Sequence, residues 1–339
     1  MNAPTVSLTP ANAGAATTRR PWHYPLFRPL AALALLLAIA AISVPGFLHL
    51  EIKDGRLYGN LVDILHRAAP LMLAALGMTL VIATRGIDVS VGAIVAISAT
   101  VACVLVSSHG LAIAFAAALG AALLCGLWNG LLIAGLGLQP IIATLILMVA
   151  GRGLAQLLTD GQIITVYEPA SFFWLGAGYV LGLPVSFYVV ALVAGLTALL
   201  MKRTALGLFI QTVGINPVAA RLAGVRTAAI VCFVYVYCSL GSGLAGLLIS
   251  SNIKSADANN AGLLLELDAI LAVTLGGGQL NGGKFSLMGS LIGALIIQTL
   301  TSAIYALGVP PQVTMVVKAV VVFAVCISQS SIWSARRSA

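Results

Sequence analysis

The stretch GGGQLNGGKF, residues 276–285, has residue types and a spacing that could bind a nucleotide phosphate. Residues 278–284 match G-x-x-x-x-G-K, in which backbone N–H groups and the lysine hold phosphates and a following Ser or Thr binds Mg²⁺. Phe285 occupies that hydroxyl position, and the preceding run LDAILAVTL is typical of a membrane segment. The sequence therefore predicts a helix break here, since each glycine costs about 1 kcal/mol in a helix interior relative to Ala. It predicts no nucleotide site.

Polar side chains inside apolar runs could line a path for a solute, because each is costly to bury unless it meets a partner or water. Arg152 and Gln156 lie in a stripe spaced by four residues, which stays on one face of a helix. The alternative is that a carboxylate or helix C-terminal carbonyls neutralise Arg152, which then only fixes helix packing. Asn129, Gln298 and Lys318 are weaker candidates, since each is equally well explained by interhelical hydrogen bonding or snorkelling.

The sequence contains no recognisable catalytic or metal-binding arrangement. Glu266 and Asp268 are two positions apart, so on a helix they point to nearly opposite sides and cannot form a paired-carboxylate site. No Ser-His-Asp order or H-E-x-x-H motif is present, and the four histidines lie at span ends or in tails. The five cysteines sit in apolar runs without C-x-x-C spacing. We therefore expect no catalytic residue, metal or cofactor in this chain.

The composition places the chain in a membrane, because 60% of its 339 residues are hydrophobic and 8% are charged, whereas a soluble chain has about 25% charged residues. Apolar runs of helix-spanning length predict an all-α, polytopic fold with about ten transmembrane helices. The predicted spans are 30–50, 68–84, 91–108, 110–135, 139–158, 185–201, 227–250, 263–276, 286–307 and 313–329.

Two of these spans, 68–84 and 263–276, are short, and each runs into a break that contains glycine. The first break is at Gly86, just before Asp88, and the second is in residues 276–283. Short interrupted segments at corresponding positions predict two related halves, with a transport pathway near the broken helices. The alternative is that both are ordinary short turns.

The distribution of charge predicts which ends of the spans face the cytoplasm. With the N-terminus inside, eleven Lys or Arg residues fall on the inner side and four on the outer side. This topology explains the net charge of +8 without a nucleic-acid partner. We predict a disordered cytoplasmic tail at 1–29, a permease domain at 30–329 and a cytoplasmic tail at 330–339. A cleavable signal peptide is the alternative reading of the N-terminus.

The longest predicted inner loop, residues 202–226, contains a short helix with clear ends. Asn216 is predicted to cap its N-terminus, Pro217 to take the first helical position, and Gly224 to follow its C-terminus. A helix of six residues, VAARLA, is marginal alone. It either docks to a partner, with Arg221 at the contact, or lies on the membrane surface.

Four long stretches resemble the permease subunits of bacterial ATP-binding-cassette (ABC) sugar importers of the ribose, xylose and arabinose group. They are LGMTLVIATRGIDVSVGAIVAI, LQPIIATLILMVAGRGLAQLLTDG, TALGLFIQTVGINPVAARLAGV and ELDAILAVTLGGGQLNGGKF. Within that group, ADANNAGLLLELDAI and MVAGRGLAQLLTDGQIIT are similar to the galactofuranose importer's permease.

The resemblance implies a multi-pass protein of the bacterial inner membrane with both termini in the cytoplasm. Its implied partners are a second permease chain, a periplasmic sugar-binding protein and a cytoplasmic ATPase subunit that holds ATP and Mg²⁺. The residues implied to contact the ATPase are Gly214, Asn216, Ala220, Arg221 and Gly224. Those implied to border the pathway are Asp88, Asn259, Asn260, Glu266 and Asp268. The main alternative is a proton-coupled secondary transporter that uses Asp88 or Asp268.

Overall fold

The computed structural model describes residues 26–53, 55–310, 313, 315–320 and 323. The helices are α1 Phe27–Ser43, α2 Asn60–Ala83, α3 Val91–Gly130, α4 Pro140–Leu157, α5 Ala170–Ala177, α6 Val185–Arg203, α7 Leu206–Ile215, α8 Pro217–Leu222, α9 Thr227–Ile253, α10 Leu265–Leu275 and α11 Leu287–Ala306. A short π-helix, Leu131–Gly135, continues α3. The chain is therefore dominated by helices, as the composition predicts.

Three short antiparallel strand pairs connect the helices. The pairs are β1 Glu51–Lys53 with β2 Arg56–Tyr58, β3 Ile164–Thr165 with β6 Ser255–Ala256, and β4 Tyr179–Val180 with β5 Leu183–Pro184. All lie in connections that the charge distribution predicts to face outward. We call this end of the helix bundle the outer end, and the opposite end the inner end.

Within the described residues, six helices are long and apolar enough to cross a membrane. The prediction of about ten spans and two related halves is therefore not confirmed. Predicted span 263–276 corresponds to α10, which has 11 residues. Predicted span 30–50 corresponds to α1, which has 17 residues. Predicted spans 91–108 and 110–135 form one long helical segment, although Gly110 breaks it with a φ of 80° and a ψ of 171°.

Helix α9 packs against α2 and α3 at the centre of the bundle. Close approach is possible because glycines replace larger side chains at the crossings. A Cβ added to Gly77 of α2 would lie 2.6 Å from the Cα of Cys238, and one on Gly246 of α9 would lie 2.5 Å from the Val95 carbonyl oxygen. Helix α2 is the most enclosed of the six spanning helices, and every residue from Leu71 to Ala83 is buried.

The glycine-rich loop, residues 276–285, ends α10 as predicted. Its backbone N–H groups bond within the chain: Gly278 donates to the Val273 carbonyl at 2.9 Å, and Gly283 donates to the Ala83 carbonyl at 2.8 Å. The φ of Gly283 is +91°, a conformation that favours glycine. The loop therefore joins α10 to α11 and packs on the inner end of α2, where its glycines serve backbone geometry.

Parts of the predicted organisation lie outside the described residues. The C-terminal tail, 330–339, and Cys326 are in this group, and the span predicted at 313–329 is only partly described. The predicted N-terminal tail, 1–29, lies almost entirely outside them, since α1 begins at Phe27.

Candidate coupling helix, polar clusters and outer cavity

The short helix α8 has the ends that the sequence predicts. The Asn216 Oδ1 atom accepts hydrogen bonds from the backbone N–H groups of Val218 and Ala219, each at 3.0 Å. Pro217 takes the first helical position, where no N–H is needed. Gly224 follows the helix with a φ of +86°, which suits a residue without a Cβ. The predicted cap, proline and terminal glycine are confirmed as features of the fold.

One side of α8 is open and the other packs on the bundle. Leu222 is 86% exposed, Val218 is 67% exposed, and Arg221 is also exposed. Ala220 is buried, and so is Gly214 in the preceding helix. Gly214 and Ala220 therefore face the chain's own interior, whereas the three exposed side chains are open to a partner.

Helix α7 connects α8 to the inner end of α2 at a junction built around Arg85. The Arg85 side chain donates from Nε to the Asn281 carbonyl at 3.1 Å and from Nη2 to the Ile215 carbonyl at 2.5 Å. Its φ of 65° places it at the turn between α2 and α3. One side chain thus joins the glycine-rich loop to the last residue of α7, directly before α8.

Asp88 and Asn129 form a buried polar cluster beside this turn. The Ser90 hydroxyl donates to Asp88 Oδ1 at 2.6 Å and accepts from Asn129 Nδ2 at 2.9 Å. All three residues are fully enclosed. In the described part of the chain, Asp88 Oδ2 and Asn129 Oδ1 have no hydrogen-bond partner, and the Tyr235 hydroxyl is likewise unpartnered. Such buried unpaired groups are rare and mark a site that water or a solute could satisfy.

Arg152 and Gln156 hold the outer turn that precedes α10. Arg152 Nη1 donates to the Ala261 carbonyl at 2.7 Å and to the Ala258 carbonyl at 3.1 Å. Gln156 Nε2 donates to Asn259 Oδ1 at 2.7 Å. Backbone carbonyls of this turn, rather than a carboxylate, therefore hold the guanidinium, and this geometry agrees with a packing role.

Asp257 organises the same turn from within. Its Oδ2 accepts from Asn260 Nδ2 at 2.7 Å, and its Oδ1 accepts from the Asn259 backbone N–H at 2.9 Å. These hydrogen bonds, that from the Asn260 side chain above all, lower the pKa of the Asp257 carboxyl. Asn259 and Asn260 remain exposed.

The two acidic residues of α10 have separate surroundings. Glu266 is buried against the first turn of α3, where a Cβ on Gly92 would lie 2.3 Å from its Oε2 atom. Asp268 Oδ2 accepts from Lys318 Nζ at 2.5 Å, and both side chains are about one-fifth exposed. Nothing in the sequence indicates this pair, because Lys318 and Asp268 are far apart in the chain. The predicted pathway residues thus lie in four places. Asp88 and Asn129 are in the inner cluster, and Arg152, Gln156, Asn259 and Asn260 are at the outer turn. Asp268 is in an ion pair, and Glu266 is buried separately.

A cavity of about 250 Å³ lies at the outer end between α2, α5, α6, α9 and α11. Its polar lining comes from His66, Arg67, Ser186, Asn252 and Gln298. None of these residues is predicted from the sequence to belong to a site, apart from the weak candidate Gln298. Pro70, which also lines the cavity, could have indicated it, because a proline inside a helix deprives the carbonyl four residues earlier of its donor.

A groove with a larger volume, about 520 Å³, lies at the start of α2 and the outer strands that precede it. Its lining includes Glu51, Tyr58, Asp63 and Tyr179. The two tyrosine rings stack with centroids 6.3 Å apart. Asp63 in the groove pairs with Arg67 in the cavity, since Arg67 Nε donates to Asp63 Oδ2 at 2.7 Å. One ion pair therefore joins a residue of the groove to a residue of the cavity.

Comparison with known proteins defines the class. Residues 60–326 match the protein family described as "Branched-chain amino acid transport system / permease component". Since the match covers most of the chain, the protein belongs to this family of membrane permeases. No solved structure matches the chain.

Individual relatives narrow the class. The galactofuranose transporter permease protein YtfT of Escherichia coli K12 is 52% identical over 316 residues, which are 93% of this chain and 92% of that protein. The ribose import permease protein RbsC of the same strain is 38% identical over 301 residues, which are 87% of this chain and 90% of RbsC. A probable ABC transporter permease protein, y4mJ of Sinorhizobium fredii, is 32% identical and covers 81% of both chains.

Proposed function

We propose that this chain is the membrane permease subunit of an ABC importer that carries a monosaccharide from the periplasm to the cytoplasm. The observation that carries the proposal is 52% identity, over nearly the whole chain, to a galactofuranose permease. A ribose permease aligns over nearly the same length. The cargo is therefore galactofuranose or a related pentose or hexose.

The chain works with partners that supply energy and substrate. A cytoplasmic ATPase binds ATP and Mg²⁺, a second permease chain completes the pathway, and a periplasmic binding protein delivers the sugar. This division of labour fits a chain whose near phosphate loop bonds to its own backbone. The protein lies in the inner membrane with both termini in the cytoplasm, in accord with the excess of Lys and Arg at the inner end.

Energy enters through α8, which acts as the coupling helix. Val218, Arg221 and Leu222 form the open contact surface for the ATPase, because all three are exposed. Asn216 and Gly224 fix the ends of the helix, while Gly214 and Ala220 seat it on the bundle. A movement of α8 reaches the inner ends of α2 and α10 through the Arg85 junction, and reorients the spans between two access states.

The polar clusters divide the predicted pathway into two parts. Asp88 and Asn129 border its inner part, where unpartnered oxygen atoms are available to a passing hydroxyl group. Asn259 and Asn260 border its outer part on the turn that Arg152 and Gln156 hold. Glu266 and Asp268 lie on α10, between the inner and outer parts of the pathway.

The alternative, a proton-coupled secondary transporter, depends on Asp88 or Asp268 as the proton-binding group. Asp268 is already occupied in an ion pair with Lys318. The relatives' names describe permeases and, for y4mJ, an ABC transporter. Both observations favour the ATP-driven importer.

Reconstitution separates the two functions. The chain, copurified with its partners, is placed in proteoliposomes with ATP on the ATPase side, and uptake of labelled galactofuranose or ribose is measured. We expect uptake to stop when the partner ATPase is inactivated and to continue when the proton gradient is collapsed. The opposite pattern would contradict the proposal and support the secondary transporter.

A further inference from the structure

The outer cavity has the dimensions and chemistry of a small polar binding site. Its volume is about 250 Å³. This is below the range of about 300–1,000 Å³ typical of sites for drug-sized ligands. A molecule of monosaccharide size suits such a space better than a larger one.

Hydrogen-bonding groups remain available in the cavity, which is open to solvent at Arg67 and Asn252. Within the described part of the chain, the Asn252 side chain has no hydrogen-bond partner, and Gln298 uses only its Nε2, which donates to the Ser302 hydroxyl at 3.3 Å. Arg67 uses only Nε in its bond to Asp63. The site therefore offers two amides and a planar set of guanidinium donors, which can pair with adjacent hydroxyl groups.

The cavity walls are held firmly, which limits the ordering cost of binding. His66 Nδ1 and the Ser186 hydroxyl are hydrogen-bonded at 2.9 Å across α2 and α6. The Ser251 hydroxyl accepts from the Gly176 backbone N–H at 2.7 Å and joins α5 to α9. A Cβ on Gly176 would lie 2.3 Å from the Asn252 backbone nitrogen, so the two helices are in direct contact beside the polar amide.

We propose that this cavity binds the monosaccharide as it is delivered to the permease. The sugar reaches it from the outer groove, past the ion pair of Asp63 and Arg67. This inference rests on the proposed function, and it adds a binding site formed by helices that carry none of the predicted outer pathway residues. It also sets a selectivity: the five polar side chains of the lining can bind the several hydroxyl groups of a sugar, whereas leucine offers them only its ammonium and carboxylate groups.

The test is direct binding to the purified complex of this chain with its ATPase in lipid nanodiscs, without the binding protein. Saturation-transfer NMR is used to titrate D-galactose, D-ribose and L-leucine. We expect weak, millimolar binding of a sugar and weaker binding of leucine. Asn252→Leu and Gln298→Leu should each weaken sugar binding at least fivefold, because each removes hydrogen-bonding groups. Equal binding of leucine, or unchanged sugar binding by both variants, would overturn the proposal.

Gln162→Leu is the matched control, because Gln162 is exposed outside the cavity and carries the same amide. It should leave sugar binding unchanged. If the wild-type complex imports sugar in proteoliposomes while the cavity variants bind normally, this inference fails and the proposed function stands. If no import occurs with any partner, the proposed function fails instead.

A labelling experiment measures occupancy of the cavity directly. It does not require a variant whose sugar binding is weakened. Asn252→Cys places a thiol in the cavity, and its rate of reaction with a small water-soluble maleimide is compared with that of the wild-type chain. Saturating D-galactose or D-ribose should slow the additional labelling at least threefold, while leucine should not. Labelling that is unaffected by either sugar would contradict occupancy of the cavity.

Discussion

Replacing Gly214 with alanine tests whether α8 is seated through the junction at the inner end of α2. The added Cβ would lie 1.8 Å from the Ala83 carbonyl oxygen and 2.5 Å from the Gly283 backbone nitrogen. Both neighbours are backbone atoms and cannot rotate away as the end of a flexible side chain can. The junction must therefore open to admit one methyl group.

The size of the effect follows from two opposing contributions. Overpacking of a close contact costs about 1–3 kcal/mol, and replacing glycine by alanine inside a helix recovers about 0.5–1 kcal/mol. The net loss of folding free energy should lie between about 0 and 2.5 kcal/mol, and it should fall in the upper part of that range because both close neighbours are backbone atoms. Gly195 in α6 provides the matched control, because a Cβ there meets no heavy atom of the surrounding chain within 4 Å. Gly195→Ala should therefore be neutral or stabilising.

Thermal unfolding in detergent and the number of ATP molecules hydrolysed per sugar imported are measured for both variants. Gly214→Ala should lower the unfolding midpoint and raise the ATP-to-sugar ratio at least twofold, because displaced α7 transmits the movement of α8 less well. Gly195→Ala should leave the ratio unchanged. If Gly214→Ala is as stable and as well coupled as Gly195→Ala, the reasoning about the junction is refuted.

Three further predictions concern other parts of the chain. Asn216→Ala removes the cap of α8 and should cost about 1 kcal/mol locally, seen as about fivefold faster amide exchange in α8; unchanged exchange would argue against the cap. Asp268→Asn leaves Lys318 without its partner and should lower the unfolding midpoint. Adding Lys318→Met should restore most of the lost midpoint temperature. If the double variant does not recover, the two side chains are not coupled. Because the folded-state pKa of Asp257 is lowered, chiefly by Asn260, its stabilisation is present above the unfolded pKa and is lost as the pH falls below about 4. Wild-type protein should therefore lose more stability on acidification than Asp257→Asn, and parallel pH curves would contradict this.

Local sequence signals predicted the local structure well. The caps of α8 and the end of α10 at Gly276 follow from the conformations that Asn, Pro and Gly favour within a few residues. The helix break at Gly110 also falls at a predicted boundary between two spans. These features depend on short-range chemistry, so one sequence is enough to predict them.

The number of spans was harder to predict, because hydropathy does not distinguish a short buried helix from one that crosses a membrane. Helix α10 shows this, since its 11 residues, most of them apolar, pack against α2 and α11 without spanning the hydrocarbon thickness.

Contacts between residues distant in the chain could not be predicted from the sequence. The pair of Asp268 with Lys318 and the contact of Arg85 with Ile215 join residues distant in the chain, and neither has a local signal. The outer cavity is a stronger case, because it forms only when five helices assemble around Pro70 and Gln298. The interior positions of Gly214 and Ala220 also depend on packing rather than on the local pattern.

The most direct test of the central claim, that energy enters through α8, is ATP-driven sugar import by a chain carrying Arg221→Glu and Leu222→Glu. Both side chains are exposed, so the fold should remain intact and the unfolding midpoint should change little. We expect that the ATPase no longer copurifies with the double variant and that import is lost. Normal import by a folded double variant would contradict it.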